Sequence, residues 1–553
     1  MRRKGISLIV LVITIIIMII LASAIIISVM DSDIISESKS AVIKNDIQTI
    51  KENVNVLKSE RMLDPDNAVS FSSIIPDKYK GKIIIDEYTG EIINISEGED
   101  QAFDKAMEEM DISESTDYVK VTNWSELLSA IEENDEVKII LMEDITLTDN
   151  VDPIPYFNGT LEGNYKSINN LMIESIEEYD ASTSVNYVYS AALFKGLDSD
   201  GVITNLTINN ANVKGYAATG IFAGINIGSI VNCKVSGKVE GTSSVTGGIT
   251  GYNVGVIVNC SGENINIIGS SYTGGIAGYA TGNIYNCNAS MANVTSTSPI
   301  AGGFIGAAEG PAVIKDCNMQ GTVKGQSGTG GFAGLAVASA IVENCSVTGT
   351  VEGGQSTGGF VGQVYNGGII RKSYSNVNVI AKVDWGGGFA GSTHTNARIN
   401  GCYSTGTVKG TNNVGGFVGI NTTTSNIIDS YATGDVTATG VRVGGFCGRN
   451  NTASIIKNSF STGKVTSSST SNIGAFVGLS STAAADLHLG TSKIDNCYYN
   501  TDTSNQANGN GGYNGTMDLK GLTNSGMKLQ SSYEKLDFTR IWKMGPNHPV
   551  LKY

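Results

Sequence analysis

The fold class read from the sequence is mainly β: a parallel, right-handed β-helix of about eleven 28-residue coils, preceded by a long N-terminal α-helix. Three observations lead there. The motif Gly-Gly-Phe-x-Gly, or a near variant, recurs with its closing glycine at Gly196, Gly224, Gly251, Gly278, Gly306, Gly334, Gly362, Gly391, Gly419, Gly448 and Gly478, at intervals of 27 to 30 residues. A fixed period in this range marks a solenoid or an array. Short β-branched runs such as Ser404-Thr405-Gly406-Thr407-Val408 separate the motifs, and no repeat holds a 3.6-period run of helical length, so the coils are built from strands. An uncharged stretch of 25 residues, Ile6 to Met30, stands at the other end of the chain.

Each coil carries the same parts. Two residues before the closing glycine is a large apolar residue, from Phe194 and Phe222 through Ile249, Ile276, Phe304, Phe332, Phe360, Phe389, Phe417 and Phe446 to Phe476. Nine to eleven residues after most closing glycines comes Ile-x-Asn-Cys or a variant, whose small residue is Leu206, Cys233, Cys260, Cys287, Cys317, Cys345, Ser373, Cys402, Ser430, Ser459 and, after a longer insertion, Cys497. Stacked at roughly 4.8 Å per coil, these become an interior phenylalanine ladder and a ladder of small side chains. The asparagines before them (Asn232, Asn259, Asn286, Asn344, Asn458, Asn496) form a third ladder at a corner, with side-chain amides bonding coil to coil. Glycine serves where a corner needs positive φ or close backbone approach.

The in-phase pair Gly415–Gly419 and Cys402–Gly406 resembles the GLUG repeat of bacterial surface proteins, and the resemblance runs over roughly 190–500. Some zinc peptidases of the IgA-protease type carry such repeats. Their His-Glu-x-x-His is missing here, and the three histidines, His394, His488 and His548, have no metal-ligand spacing. The resemblance therefore implies a surface protein and calls for no metal or cofactor.

From the N-terminus, Met1-Arg2-Arg3-Lys4-Gly5 precedes the apolar run, which is long enough to span a bilayer. The basic residues hold their end in the cytoplasm and place the bulk of the chain outside, as a single-pass protein of the cell membrane. An ordinary signal-anchor and a secretory signal cut at Ala22-Ser23-Ala24 are the alternatives. Lys4-Gly5-Ile6-Ser7-Leu8-Ile9 resembles the leader of type IV prepilins and pseudopilins. That resemblance implies a leader 1–5, cleavage between Gly5 and Ile6 by prepilin peptidase, methylation of the new N-terminus, and contact with other pilin-like subunits. The family's usual glutamate is absent at Val10, which favours a minor subunit or a non-polymerising anchored protein. A transmembrane and amphipathic helix over 6–62 follows, about 85 Å long at 1.5 Å per residue, and Pro65 ends it.

Residues 63–117 read as a connector: a hairpin of Lys82–Asp86 and Glu91–Ile95 around Tyr88-Thr89-Gly90, then the acidic stretch Glu97–Glu114, a short exposed helix or a linker, with a solvated tether the favoured reading. Residues 118–190 hold a cap and the first coils. The helix signal there is Thr122-Asn123-Trp124-Ser125-Glu126, which would lid the open solenoid end. Residues 191–500 are the repeats, and 501–553, with Trp542 and Pro549-Val550-Leu551, form the opposite cap.

Charge separates the two halves. The net charge is −15, yet residues 201–480 carry nine acids against fourteen Lys/Arg, a balance of +5. No basic stripe appears, which argues against nucleic acid. Catalysis by a lyase or glycosidase needs acid/base residues converging across adjacent coils; Glu240, Glu263, Glu309, Glu352 and Asp384 fall out of phase. Asp316 and Asp429 occupy the asparagine position, where corner hydrogen bonding accounts for them. The one charge concentration, Asp384, Arg398, Arg442 and Arg449 near Trp385, with Arg371, is the candidate ligand face; a solvated face is its plain alternative. Seven of the eight cysteines share one phase, without CxxC spacing, and read as buried free thiols acting as small hydrophobes.

These readings describe a surface-anchored β-helix, an adhesin or minor pilin-like component binding a glycan or protein ligand. A surface carbohydrate-active enzyme and a passive spacer are the alternatives. The leader is directly testable: mass spectrometry of the native protein should find Ile6 at its N-terminus, and an intact Met1 or a cut after Ala24 would reject the prepilin resemblance.

Overall fold

The computed structural model describes residues 33–63, 70–86, 90–96, 100–112, 118–175, 190–481, 492–512 and 516–553. The leader, the cut at Gly5 and Ile6, Val10 and the apolar run to Met30 lie outside them, as does His488. Among the described residues no helix is long and apolar enough to cross a membrane. The chain divides into two compact units, 1–65 with 70–117, and 66–69 with 118–553.

In the first unit the helix Asp33–Leu63 stops two residues before Pro65. Its apolar residues Ile47, Ile50 and Val54, at helical spacing, are buried against Phe71, Tyr79, Ile83, Phe103 and Met107. The hairpin forms as expected, Ile83–Ile85 antiparallel to Ile92–Asn94. The acidic stretch is not a tether. It contains the helix Gln101–Glu109, capped by Asp100, whose carboxylate accepts from the Phe103 amide. Ala102, Phe103, Ala106 and Met107 bury one face of that helix while the acids keep the other in water. Residues 70–112 thus share a core with the N-terminal helix, where the sequence suggested a separate stem and connector.

The second unit is a parallel β-solenoid. Three sheets run along it: one of twelve strands from Ile154–Phe157 to Val477–Ser481, one of nine short strands from Thr246–Gly247 to Ile473–Gly474, and a broad one of 31 strands holding the two ends of each remaining arc. Coil-to-coil pairing is parallel throughout the repeats, for example Val361 with Ala390 and Ala390 with Val418. The phenylalanine column is fully buried. Its rings stack from Phe304 to Phe476 with centroids 4.7 to 4.9 Å apart and planes 4° to 11° from parallel, the coil rise itself.

The asparagine corner bends the broad sheet. Asn232, Asn259, Asn286, Asn344, Asn458 and Asn496 all adopt left-handed φ of 52° to 56°, the region asparagine tolerates best among residues with a β-carbon. Asp316 and Asp429 take the same conformation, φ 58° and 50°, and accept from the amides of Asn344 and Asn458; their role is structural, as their phase indicated. Beside them Glu343 pairs with Arg371 at 2.6 Å and Lys372 at 2.9 Å.

The small-residue column is more than filler. Each cysteine thiol points at the carbonyl two residues earlier, as Cys287 does to Tyr285 at 3.1 Å, and Ser373, Ser430 and Ser459 hydroxyls donate to the same carbonyl at 2.8 to 2.9 Å. Six of them, Cys260, Cys287, Cys317, Ser373, Ser430 and Ser459, also accept an amide from the coil before, as from Cys233 to Cys260 at 3.4 Å and from Cys345 to Ser373 at 3.1 Å. Cysteine and serine alternate because both supply this donor and acceptor in a small volume. All eight cysteines are buried and unbridged; burial pushes the Cys402 thiol up to about 12.

The helix Trp124–Glu133 lids the first coil as expected, with Asn123 accepting from the Glu126 amide at 3.1 Å and Leu127, Ala130 and Ile131 joining the core. The C-terminus caps only in part. Thr516–Leu522 adds a strand to Lys493–Asn500, but the remainder folds back along the flank. Tyr374, Tyr403, Tyr431 and Phe460 form a second stack, 4.8 to 5.0 Å between centroids. Trp542, Tyr533, Leu536 and Leu551 cover it. Trp542 Nε1 donates to Asp429, 3.4 Å, and the Tyr553 hydroxyl reaches the Gly401 carbonyl.

Two outcomes follow from this packing. Phe389→Ala removes a ring stacked on both sides and should cost about 3–5 kcal/mol in equilibrium melting; a loss below about 1 kcal/mol would contradict an interior ladder. His548, against Tyr431 and Phe460, is held below the ordinary imidazole value by burial, with its bond to the Pro549 carbonyl opposing. The fold favours the neutral ring, so this contribution is complete above about pH 6.5 and is lost as the pH falls through that value. Melting from about pH 7.5 down to about pH 5.5 should show a falling midpoint. The slope should be shallower for His548→Asn, which retains a donor for Pro549 but does not titrate; equal slopes would refute the assignment.

Candidate functional site

Two columns of side chains flank the closing glycines. Six residues before each glycine, at the start of the nine-stranded sheet's short strands, the chain turns the corner from the broad sheet into the nine-stranded sheet. From Ile300 onward this corner is left-handed: Ile300, Gly328, Ser356, Trp385, Asn413, Arg442 and Asn472 have φ between 50° and 73°. One residue after the glycine stands a column on the twelve-stranded sheet, in register from Tyr279 through Ala307, Leu335, Gln363, Ser392 and Ile420 to Arg449 and Leu479.

The glycine brings the columns together. A β-carbon on Gly419 would lie 2.5 Å from the Trp385 carbonyl carbon, and one on Gly448 2.4 Å from that of Asn413. Both are closer than any real contact, so only glycine lets the corner of one coil settle on the next. The expectation offered positive φ or close approach; at these glycines the structure uses close approach, and the corner residue takes the positive φ.

The result is a seam along the solenoid, outside its main core. Its early part is aromatic and apolar. Tyr279 meets Tyr252 at 5.3 Å and Tyr272 edge-on at 5.2 Å, and Ala307, Leu335 and Val337 pack with Ile300. Its middle is polar, the Ser392 hydroxyl donating to Ser356 at 3.2 Å. Its far part gathers Trp385, Asp384, Arg442 and Arg449. From Tyr279 to Arg449 the seam crosses six steps, about 29 Å at roughly 4.8 Å each.

At the far part Asp384 is occupied: its Oδ1 accepts from the Trp385 amide at 3.1 Å and the Asn413 side chain at 2.9 Å. Trp385 is partly exposed, its indole 5.8 Å from the His394 ring; burial holds His394 below its ordinary value. Burial, and then the nearby Arg442, hold Arg449 below the usual guanidinium value, with Asp384 opposing. The Nε atoms of Arg442 and Arg449 are buried and make no hydrogen bond.

Four of the five residues of the expected ligand face therefore come together, and Arg398 does not. It lies exposed on the strand Arg398–Asn400 of the broad sheet, between Ile369 and Asn426. Arg371, on the neighbouring strand, is committed to Glu343. Closeness in sequence misplaced Arg398 because thirteen residues from Trp385 carry the chain around a corner to another sheet. His394, Asn413 and the three tyrosines were missed. Phase six before and one after the closing glycine would have found Asn413 and the tyrosines. Among the described residues no cluster of His, Cys, Asp and Glu could hold a metal ion.

Comparison with known proteins agrees with this architecture. Residues 118–238 match a family described as a pectate lyase-like adhesive domain. The GLUG motif matches at 269–295, 325–352, 410–437 and 439–466. The solenoid thus carries four matches to the GLUG motif, preceded by a stretch similar to that adhesive domain. It is 36% identical over 94 residues to Halomucin of Haloquadratum walsbyi, a match covering 17% of this chain and 1% of that protein. A Bacteroides ovatus structure named for an inferred immunoglobulin A1 protease aligns over 79% of this chain and 92% of its own, at 16% identity and a TM-score of 0.25. A TM-score this low lends no argument about fold or activity.

Proposed function

We propose that this chain is a surface adhesin-like β-solenoid that binds a glycan along the seam, without turning it over. The observation that carries this reading is Trp385. Its left-handed corner position and the glycine beneath it leave the indole partly exposed on a rigid scaffold, beside polar groups of adjacent coils. An aromatic face set among hydrogen-bonding groups suits a sugar, which offers an apolar ring face and polar edges. The match of 118–238 to an adhesive-domain family supports the same reading. In this proposal the apolar run Ile6 to Met30 anchors the chain at the cell membrane with the solenoid outside, as a minor pilin-like subunit or a non-polymerising protein. That part rests on the sequence: the basic start, the apolar run and the Gly5-Ile6 junction.

A glycan array of the full chain should give saturable binding, and Trp385→Asn, which keeps a residue suited to left-handed φ, should weaken it about tenfold, or about 1.4 kcal/mol. Undiminished binding in that variant would place the ligand elsewhere. Reproducible cleavage of any glycan, lost in Asp384→Asn, would instead make the chain a carbohydrate-active enzyme. Absence of saturable binding to every glycan and cell surface would leave a spacer.

A further inference from the structure

At the far part of the seam Arg449 lies within electrostatic reach of a second cation, Arg442, and of one acid, Asp384. Several other cations of the solenoid sit on acids: Lys214 on Glu174, Lys238 on Glu240, Arg371 and Lys372 on Glu343, Lys382 on Glu352, Lys457 on Asp495. Arg442 and Arg449 instead face each other's charge. The acid in reach, Asp384, already accepts two hydrogen bonds, from Trp385 and Asn413, and leaves the group with one positive charge in excess. Both Nε donors are buried without a partner, an arrangement that costs free energy in the unliganded protein.

Packing does not require it. Arg449 stands in register between Ile420 and Leu479, and Arg442 holds a corner that Asn413 and Asn472 fill on either side. An uncharged side chain would serve either place. What the two arginines add is a pair of planar donor forks, which match the geometry of a carboxylate or a sulfate. The partly exposed indole of Trp385 lies on the same corner column, with Asn413 between it and Arg442.

We propose that Arg442 and Arg449 receive the carboxylate or sulfate group of an anionic saccharide whose sugar ring lies against Trp385. This rests on the reading of the seam as a glycan site and names the class of glycan. Binding sets an anion against the two guanidinium groups and compensates the repulsion between them. Neutral saccharides gain the indole contact alone.

The test is calorimetric titration of the full chain with hyaluronan hexasaccharide, which carries carboxylates, chondroitin sulfate hexasaccharide, which adds sulfate, and neutral chitohexaose. The charged oligosaccharides should bind about tenfold or more tightly than the neutral one, and only theirs should weaken as salt is raised. Stronger binding of the sulfated chain would assign the site to sulfate, and equal binding to the shared carboxylate. Arg442→Gln and Arg449→Gln should each weaken the charged ligands about tenfold and leave chitohexaose unchanged. Arg449→Lys, which retains the charge and loses the fork, should fall between. Melting temperatures should hold or rise in the glutamine variants, because each removes a repulsion; this separates lost contacts from lost folding. Equal affinity for charged and neutral oligosaccharides, or equal losses for both in the arginine variants, would overturn the anionic assignment while leaving the glycan reading in place. Failure of every saccharide to bind would overturn both.

Discussion

From Gly362 to Gly478, the backbone at the corner where one coil enters the nine-stranded sheet occupies the space a β-carbon on the next closing glycine would need. The corner carbonyl carbons lie 2.4 to 2.5 Å from that point at Gly362, Gly391, Gly419, Gly448 and Gly478. No side chain can be accommodated, so the glycine recurs with the coil. Once the corner closes, strands on both sides fall into register, the phenylalanine two residues earlier is turned inward, and its ring meets the next at the coil rise. The period of the sequence is the perimeter of the coil measured between two such contacts.

The second corner is solved by hydrogen bonding instead of sterics. Asparagine accepts the left-handed conformation, and its side chain ties the bend to its neighbour, as Asn496 does to Asn458 at 2.7 Å. The bend leaves a carbonyl facing the interior, and the following cysteine or serine donates to it. That carbonyl already accepts an amide from the preceding coil, as Tyr285 does from Asn259 and Arg371 from Asn344, and the thiol or hydroxyl fills its second lone pair. This explains why a thiol and a hydroxyl share one column from which larger polar residues are missing.

The steric corner has a functional by-product. Because its left-handed residue sits outside the core, its side chain is free to vary, and the column runs through isoleucine, glycine, serine, tryptophan, asparagine and arginine. The column one residue after the glycine varies likewise. The scaffold repeats, and what stands along the seam does not. The side chains along the seam can therefore change from coil to coil while stability is carried by the repeated interior. The opposite economy rules the flank, where the stack from Tyr374 to Phe460 is covered for most of its length by the chain's own C-terminus.

The repeat phase, read from the sequence alone, was enough for the coil length, the interior phenylalanine ladder and the asparagine corner, because each depends on neighbours one period away; the lid over the first coil was legible from its own capping residues. The same phase identified Asp316 and Asp429 as corner residues. What it could not show was which outer columns meet, since that depends on how sharply each corner turns. Arg398 was grouped with Trp385 for this reason and lies on another sheet, while Asn413 and Tyr279 were overlooked. The C-terminal return along the flank and the packed helix Gln101–Glu109 are contacts between segments of different period or none, and no periodicity foretells them. Local chemistry and its repetition thus determined the solenoid; the tertiary structure decided the seam, because two columns seven residues apart in sequence become neighbours only when a glycine lets the corner between them close.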